Sequence, residues 1–193
     1  MLLLGASLIY PLYPREQTLQ HVPTVMAIGL LAADTRRNWI SRSSFLCLSF
    51  FIWLHILGAR YIYSFVPYDK WVTTLIGSSA SEWFGWDRNH YDRLVHFLFG
   101  MLFVIPAAEL GSRCGKLSPK WAVSFAVLVV LSISALYEVF EWLLTVVMAP
   151  RHAEAYNGQQ GDMWDAQKDM ALAFVGSVVT LPFLLVTKSR KAT

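Results

Sequence analysis

The chain has 193 residues, of which 55% are hydrophobic, 15% are aromatic and 15% are charged, and its formal net charge is +3. Apolar runs of membrane-spanning length exclude a soluble globular domain, and this length leaves no room for a second domain beside one membrane bundle. The small positive charge is not the strongly basic footprint of a nucleic-acid-binding protein, and it fits an uneven distribution of charge between loops. We therefore predict an all-α, polytopic transmembrane helical bundle that forms a single integral membrane domain over residues 1–193.

Two short apolar stretches come first in the chain. Leu2 to Tyr13 is closed by prolines, and Leu19 to Ala33 is interrupted by a histidine and a proline. Each stretch is shorter than the roughly 20 residues that a membrane helix needs. We predict two short spans here, with a re-entrant hairpin or the remnant of a longer N-terminal segment as alternatives.

Four longer apolar segments follow and alternate with polar loops. The predicted spans are residues 44–65, 94–110, 121–148 and 169–186. The loop 66–92 carries three tryptophans, which is typical of a segment that lies at the membrane interface. The loop 149–168 is polar. Together with the two short segments, the count is about six spans.

Lysine and arginine residues concentrate in every second loop. The basic positions are Arg36, Arg37, Arg42, Arg113, Lys116, Lys120, Lys188, Arg190 and Lys191. Alternate loops lie on one side of a membrane, and the side with the basic excess is the cytoplasm. We therefore predict a multi-pass protein with cytoplasmic N- and C-termini, in which the loops 66–92 and 149–168 face outward.

Ionisable residues of four predicted helices fall at one membrane depth, in the outer leaflet. They are His55, Arg60, Asp92, His96, Glu138, Glu141, Asp162, Asp165 and Asp169. An intramembrane charge costs about 2.5–3.5 kcal/mol on insertion scales and marks a functional site by default. Residues three or four positions apart share one helix face, so the carboxylates of one helix repel each other unless a cation or proton neutralises them.

Carboxylates and imidazoles in this number are typical of a site for divalent metal ions. Mixed oxygen and nitrogen ligands suit Zn, Mn or Fe, and Mg is compatible with fewer histidines. The candidate metal ligands are His55, Asp92, His96, Glu138, Glu141, Asp162, Asp165 and Asp169. This set is large enough for one or two metal ions.

Several of these residues also have a structural interpretation. Asp92 is a candidate N-cap for the helix that follows it. His55, alone on an apolar helix, is as often a buried hydrogen-bonding histidine as a ligand. The basic side chains of Arg60, Arg93 and Lys168 could neutralise carboxylates in ion pairs that serve only the fold.

Three separated motifs resemble one known family. They are Arg88-Asn-His-Tyr-Asp92-Arg93-Leu-Val-His96-Phe97, Tyr137-Glu138-Val-Phe-Glu141-Trp142 and Gly161-Asp162-Met-Trp-Asp165-Ala-Gln-Lys168-Asp169-Met170. From roughly Ile52 to Leu185 the chain resembles the YjdF-like family of bacterial inner-membrane proteins. It is more distantly similar to VanZ-like membrane proteins, which are associated with glycopeptide-antibiotic resistance. The resemblance implies a compact helical bundle in the bacterial inner (plasma) membrane, and it brings no established reaction with it.

We predict a metal-dependent membrane enzyme, specifically a hydrolase that acts on a lipid or lipid-linked substrate at the outer leaflet. The metal activates water and polarises a phosphoryl or acyl oxygen, and Glu141 and Asp162 are the candidate catalytic carboxylates. The candidate substrate-binding residues are Arg60, Arg88 and Arg93, because guanidinium groups hold anionic headgroups. Membrane lipid is therefore the expected partner, and no nucleic acid is expected.

Two other classes of function fit the same residues. A proton- or ion-coupled transporter also carries intramembrane carboxylates and histidine. Its difficulty is that the groups sit toward one side of the membrane and no inverted repeat is visible, although a homo-oligomer could form a pore. A non-enzymatic membrane protein would use the charges as a structural network. Amide replacements of Asp165 and Glu138 separate the three classes through loss of metal, altered ion flux or altered stability alone.

Overall fold

A computed structural model shows an all-α protein and describes residues 2–147 and 160–189. The described residues form α1 Leu2–Ser7, α2 Pro14–Arg37, α3 Arg42–Arg60, α4 Tyr68–Ile76, α5 Ala80–Phe84, α6 Tyr91–Arg113, α7 Pro119–Val147 and α8 Asp165–Ser189. The predicted all-α polytopic bundle is confirmed. Residues 149–159 of the predicted polar loop, and the basic residues Arg190 and Lys191, lie outside the described residues.

Among the described residues, four helices are long and apolar enough to cross a membrane, by length and composition: α3, α6, α7 and α8. They correspond to the four longer predicted spans. The main difference is that α3 ends at Arg60, because the chain turns at Ile62 and Tyr63, whose φ angles are 42° and 57°. Gly58 accommodates this turn, since a Cβ at that position would lie only 2.7 Å from the Tyr63 ring.

The N-terminal region differs from the two short spans predicted for it. α1 has 6 residues and α2 has 24, and among the described residues neither has the length and composition of a span. α2 continues through Pro23, although an interior proline removes one backbone hydrogen bond and crowds the preceding turn. The buried residues of α2 are polar, namely Glu16, Gln17, Gln20, His21, Thr24 and Asp34.

The closest helix contact in the described chain joins α6 and α8, which run in the same direction. A Cβ at Gly100 would lie 2.8 Å from the carbonyl carbon of Ala173, and one at Gly176 would lie 3.0 Å from the Met101 nitrogen. Small residues allow helix backbones to approach in this way inside a membrane. The contact fixes the first turns of α6 and α8 side by side, where the acidic residues lie.

The opposite end of α6 holds the basic residues. Glu109 accepts hydrogen bonds from the Ser41 nitrogen at 2.7 Å, the Ser41 hydroxyl at 2.8 Å and the Ser44 hydroxyl. Its negative charge lies at the N-terminus of α3, where the helix dipole stabilises it. Arg113 donates to the Trp39 carbonyl at 2.8 Å. These contacts bring the first two basic loops to one end of the bundle, away from the acidic residues.

The predicted interfacial loop contains two short helices, α4 and α5. Their exposed apolar side chains are Trp71, Leu75, Ile76, Trp83 and Phe84. Such a surface is typical of helices that lie in the plane of a membrane interface. The outward placement of residues 66–92 stays a prediction.

Candidate metal centre

The first turns of α6 and α8 bring together one histidine and two carboxylates. One ligand atom from each of Asp92, His96 and Asp169 lies within 4.8 Å of the other two. The three residues are buried, with 7%, 7% and 2% of their surface exposed. Because the donor atoms around a bound ion lie about 3–4 Å apart, side-chain shifts of about 1 Å would let these three converge on one ion.

Helix α7 adds a third carboxylate to this group. Oε1 of Glu138 lies 3.5 Å from Nε2 of His96, and the Glu138 side chain is 9% exposed. Oε1 of Glu138 and Oδ1 of Asp169 are buried and accept no hydrogen bond from the described residues. Buried acceptors that lack a donor are rare and cost about 1–3 kcal/mol or more when charged. These two oxygens are therefore available to a bound cation or to a proton.

A fourth carboxylate, Glu141, lies one helical turn beyond Glu138. It is 8% exposed, it forms a hydrogen bond with the Tyr137 side chain, and it interacts electrostatically with Asp92 and Glu138. Tyr137 and Glu141 are four positions apart and so lie on one face of α7. Four carboxylates thus share one histidine, His96, and a buried charge without a counter-charge costs several kcal/mol. Arg88 and Arg93 interact electrostatically with Asp92, and bound cations or protons would neutralise the remaining negative charge of the cluster.

The nearby basic residues pair with a separate set of carboxylates. Arg88 lies 2.8 Å from Oδ1 of Asp165, and Arg93 lies 3.3 Å from the same atom. Arg93 also pairs with Asp162. Asp165 is 2% exposed, and these two guanidinium groups balance its charge. Asp165 is therefore better described as a member of a structural ion-pair network than as a metal ligand.

Asp162 lies at the exposed edge of this ion-pair network. Its carboxylate accepts hydrogen bonds from Lys168 at 2.6 Å and from the Trp164 backbone nitrogen at 3.0 Å. These bonds, with one from Arg93, lower the pKa of Asp162 to about 2. A group with this pKa is a poor proton acceptor near neutral pH, which does not favour the predicted catalytic role of Asp162.

Two other predicted site residues are engaged elsewhere. Nε2 of His55 lies 2.9 Å from the Gln20 carbonyl oxygen and must donate to it, so Nδ1 accepts from the Tyr63 hydroxyl. Both ring nitrogens are then occupied, and His55 has no lone pair for a metal. Arg60 donates to the Ser7 carbonyl at 2.5 Å and fastens the N-terminal segment. We therefore leave His55 out of the ligand set and Arg60 out of the substrate contacts.

A cavity of about 410 Å³ adjoins the carboxylate cluster and is bounded by α2, α3, α6 and α7. Asp92, His96 and Tyr137 line one part of it. Much of the remaining lining is apolar and includes Leu31, Leu48, Phe51, Phe99 and Phe103. Its volume lies within the range of about 300–1,000 Å³ that is usual for small-molecule sites.

Sequence analysis missed residues that hold the two site helices together. Asn89 and Gln160 exchange two hydrogen bonds of 2.9 Å and 3.1 Å, which join the turn before α6 to the turn before α8. The two residues are 71 positions apart, and neither position carries a pattern that predicts the contact. The i, i+4 spacing of Tyr137 and Glu141, in contrast, was a signal that could have been read.

Comparison with known proteins bears on the membrane assignment. The family model described as "Predicted membrane protein (DUF2238)" matches residues 1–190. The inner membrane protein YjdF of Escherichia coli strain K12 is 33% identical over 163 residues, which are 84% of this chain and 74% of that protein. No solved structure matches. The resemblance to the YjdF-like family is confirmed, while the more distant VanZ-like resemblance stays a prediction. This membrane protein belongs to the DUF2238 family.

Proposed function

We propose that this membrane protein is a metal-dependent enzyme that hydrolyses a lipid or lipid-linked substrate. The observation that carries the proposal is the buried Asp92, His96 and Asp169 triad, whose ligand atoms lie within 4.8 Å of one another beside a largely apolar cavity. A purely structural charge network would satisfy its own buried oxygens, whereas those of Glu138 and Asp169 lack donors among the described residues.

The donor set suits one divalent metal. Asp92, His96 and Asp169 give three protein ligands, which is the number that catalytic zinc sites use while leaving a position for water or substrate. Glu138 is close enough to His96, at 3.5 Å, to complete the shell or to bridge to a second ion. Oxygen and nitrogen donors without sulfur fit Zn, Mn, Fe or Mg.

In the proposed reaction, the bound metal and the nearby side chains have separate roles. A metal ion held by Asp92, His96 and Asp169 would activate water and polarise a phosphoryl or acyl oxygen. Glu141 serves as general base, since it is buried beside the triad and is held by Tyr137. Arg88 and Arg93 lie beside the site and contact an anionic headgroup, because guanidinium groups hold phosphate and carboxylate groups.

We place the site near the outer leaflet of the bacterial inner membrane. Arg113 and Glu109 lie at the far end of α6 from the triad, together with the loop that carries Arg37 and Arg42. Under the positive-inside rule, this basic end is cytoplasmic. The C-terminal end of α8 then also lies on the cytoplasmic side, while the cytoplasmic N-terminus stays a prediction from the sequence.

The first test is elemental analysis of the purified full chain, beside Asp169→Asn and Glu138→Gln. We expect about one metal ion per parent chain and a loss of metal from both variants while helical content is kept. The matched control is Asp87→Asn, an exposed carboxylate outside the cluster, which should retain the metal. Parent protein that stays metal-free after incubation with Zn, Mn, Fe and Mg would exclude the proposed function.

The second test is hydrolysis. Metal-loaded parent in vesicles of bacterial phospholipid should release a headgroup or a free fatty acid, and Glu141→Gln should abolish the release while keeping the metal. Proton carriage is the competing function, because protons can also neutralise four carboxylates that share one histidine. Proton flux into the vesicles without bound metal, lost in Glu138→Gln, would favour a transporter.

A further inference from the structure

The cavity beside the carboxylate cluster is elongated along the bundle. Its lining on α6 runs from Asp92 through His96 and Phe99 to Phe103. At about 1.5 Å per residue, these positions extend over about 16 Å of the helix. The cavity is therefore polar where it meets the triad and apolar over the rest of its length.

The cavity also has an opening on one side. α2 packs along α3, and in the described chain its contacts with α6 and α7 are marginal. Leu30 on α2 and Ile133 on α7 both line the cavity and are 63% and 41% exposed. Side chains that line a cavity and are also exposed lie at its rim. The rim between α2 and α7 faces sideways, where a membrane would present lipid.

We propose that this cavity binds one hydrocarbon chain of a membrane lipid, which enters between α2 and α7 and lies along α6. The polar end of the same lipid then meets Asp92 and His96. This inference deepens the proposed function, on which it rests for naming the lipid as substrate. Chain binding itself depends only on the cavity: a chain that leaves the bilayer exchanges one apolar environment for another, so fit to the walls decides occupancy.

The test uses photolabelling of the full chain in phospholipid vesicles. One sample contains phosphatidylethanolamine with a diazirine in the middle of one acyl chain, and a parallel sample contains a polyisoprenyl phosphate with a diazirine in its chain. After irradiation, labelled residues are mapped by mass spectrometry. We expect one of the two probes to label Phe51, Phe99 and Phe103, and the identity of that probe shows whether the chain is acyl or isoprenoid.

Blocking variants give the control. Ala27 and Leu48 line the cavity, so Ala27→Trp and Leu48→Trp each fill part of it. The indole takes up wall space that the chain needs, so each blocking variant should lose most of the labelling of the cavity residues. The matched controls are Met26→Trp and Leu46→Trp, at neighbouring positions that are 67% and 66% exposed, and they should label like the parent. Two independent blocking positions cover the case in which one variant fails to fold.

The outcomes separate this inference from the proposed function. Labelling that is confined to exposed positions, or that survives both blocking variants, overturns the chain site. Metal content is measured on the same samples. Labelling of the cavity without bound metal refutes the metalloenzyme and keeps the chain site, whereas bound metal without cavity labelling refutes the chain site alone.

Discussion

Replacement of Gly100 by alanine tests whether backbone packing between α6 and α8 maintains the proposed metal centre. The added Cβ would lie 2.8 Å from the carbonyl carbon and within overlap of the carbonyl oxygen of Ala173, where ordinary contacts begin at 3.4 Å. The added Cβ meets main-chain atoms, which have no rotamer to change, so the helices must separate by more than half an ångström. We take the cost at the upper end of overpacking, about 3 kcal/mol. Alanine returns about 1 kcal/mol through helix propensity.

The matched control is Gly29→Ala, because a Cβ at Gly29 meets nothing within 4 Å. Gly29→Ala gains the stabilisation from helix propensity without the clash, so the free energies of unfolding of the two variants should differ by about 3 kcal/mol. At about 2–4 °C per kcal/mol for a chain of this size, the Tm of Gly100→Ala should lie about 6–12 °C below that of Gly29→Ala. Thermal unfolding of both variants in one detergent measures the difference.

The same substitution should also release the metal. Gly100 is one turn from His96, so separating the helices moves Asp92 and His96 away from Asp169. Productive sites tolerate displacements of about 0.5 Å. We therefore expect Gly100→Ala to lose metal at temperatures where it is still folded. Equal Tm values and equal metal contents for the two alanine variants would refute the reasoning.

Three further predictions address individual side chains. His96→Gln should lose the metal, whereas His55→Gln should keep the metal and lower Tm, since the His55 ring nitrogens bond within the protein; elemental analysis and melting of both variants check this. Glu109→Gln should cost about 1–3 kcal/mol, because an amide nitrogen would face hydrogen-bond donors, and its metal content should match the parent; a loss of metal would contradict the separation of the two bundle ends. For Asp162, the folded pKa of about 2 lies below the ordinary 3.8, so its contribution to stability is present above pH 3.8 and is lost toward pH 2. The Tm advantage of the parent over Asp162→Asn should shrink in that window, and a constant difference would contradict it.

The sequence predicted the site at the level of helix faces. Apolar length identified the spans, and the spacing of Asp92 and His96 placed them on one face of α6. The alternation of basic loops predicted the direction of each helix through the membrane. It placed the start of α8, and therefore Asp169, at the same end of the bundle as the start of α6. These predictions depend only on helix geometry and chain order, and the packing of the helices changes neither of them.

The partners of each side chain could not be predicted in the same way. Whether Asp165 meets Arg88 or a metal depends on rotations of less than one turn between helices, which hydropathy does not determine. His55 was ambiguous because its partners, Gln20 and Tyr63, lie in segments whose local structure was misjudged. Pro23 was read as a break in α2, and the turn at Tyr63 was read as a continuing helix, so neither partner could be placed.

The helices around the cavity are packed with unequal tightness, and this determines where the bundle can open. At Gly100 and Gly176, α6 and α8 meet backbone to backbone, so no side-chain rotamer can change to let them slide apart. α2 touches mainly α3, and its buried surface consists of hydrogen-bonding groups that can exchange partners. Local opening of the bundle should therefore occur mainly at α2, and backbone amide hydrogen exchange should be faster there than in α6. A lipid would then enter and leave the cavity beside α2, while α6 and α8 keep Asp92, His96 and Asp169 at a fixed spacing.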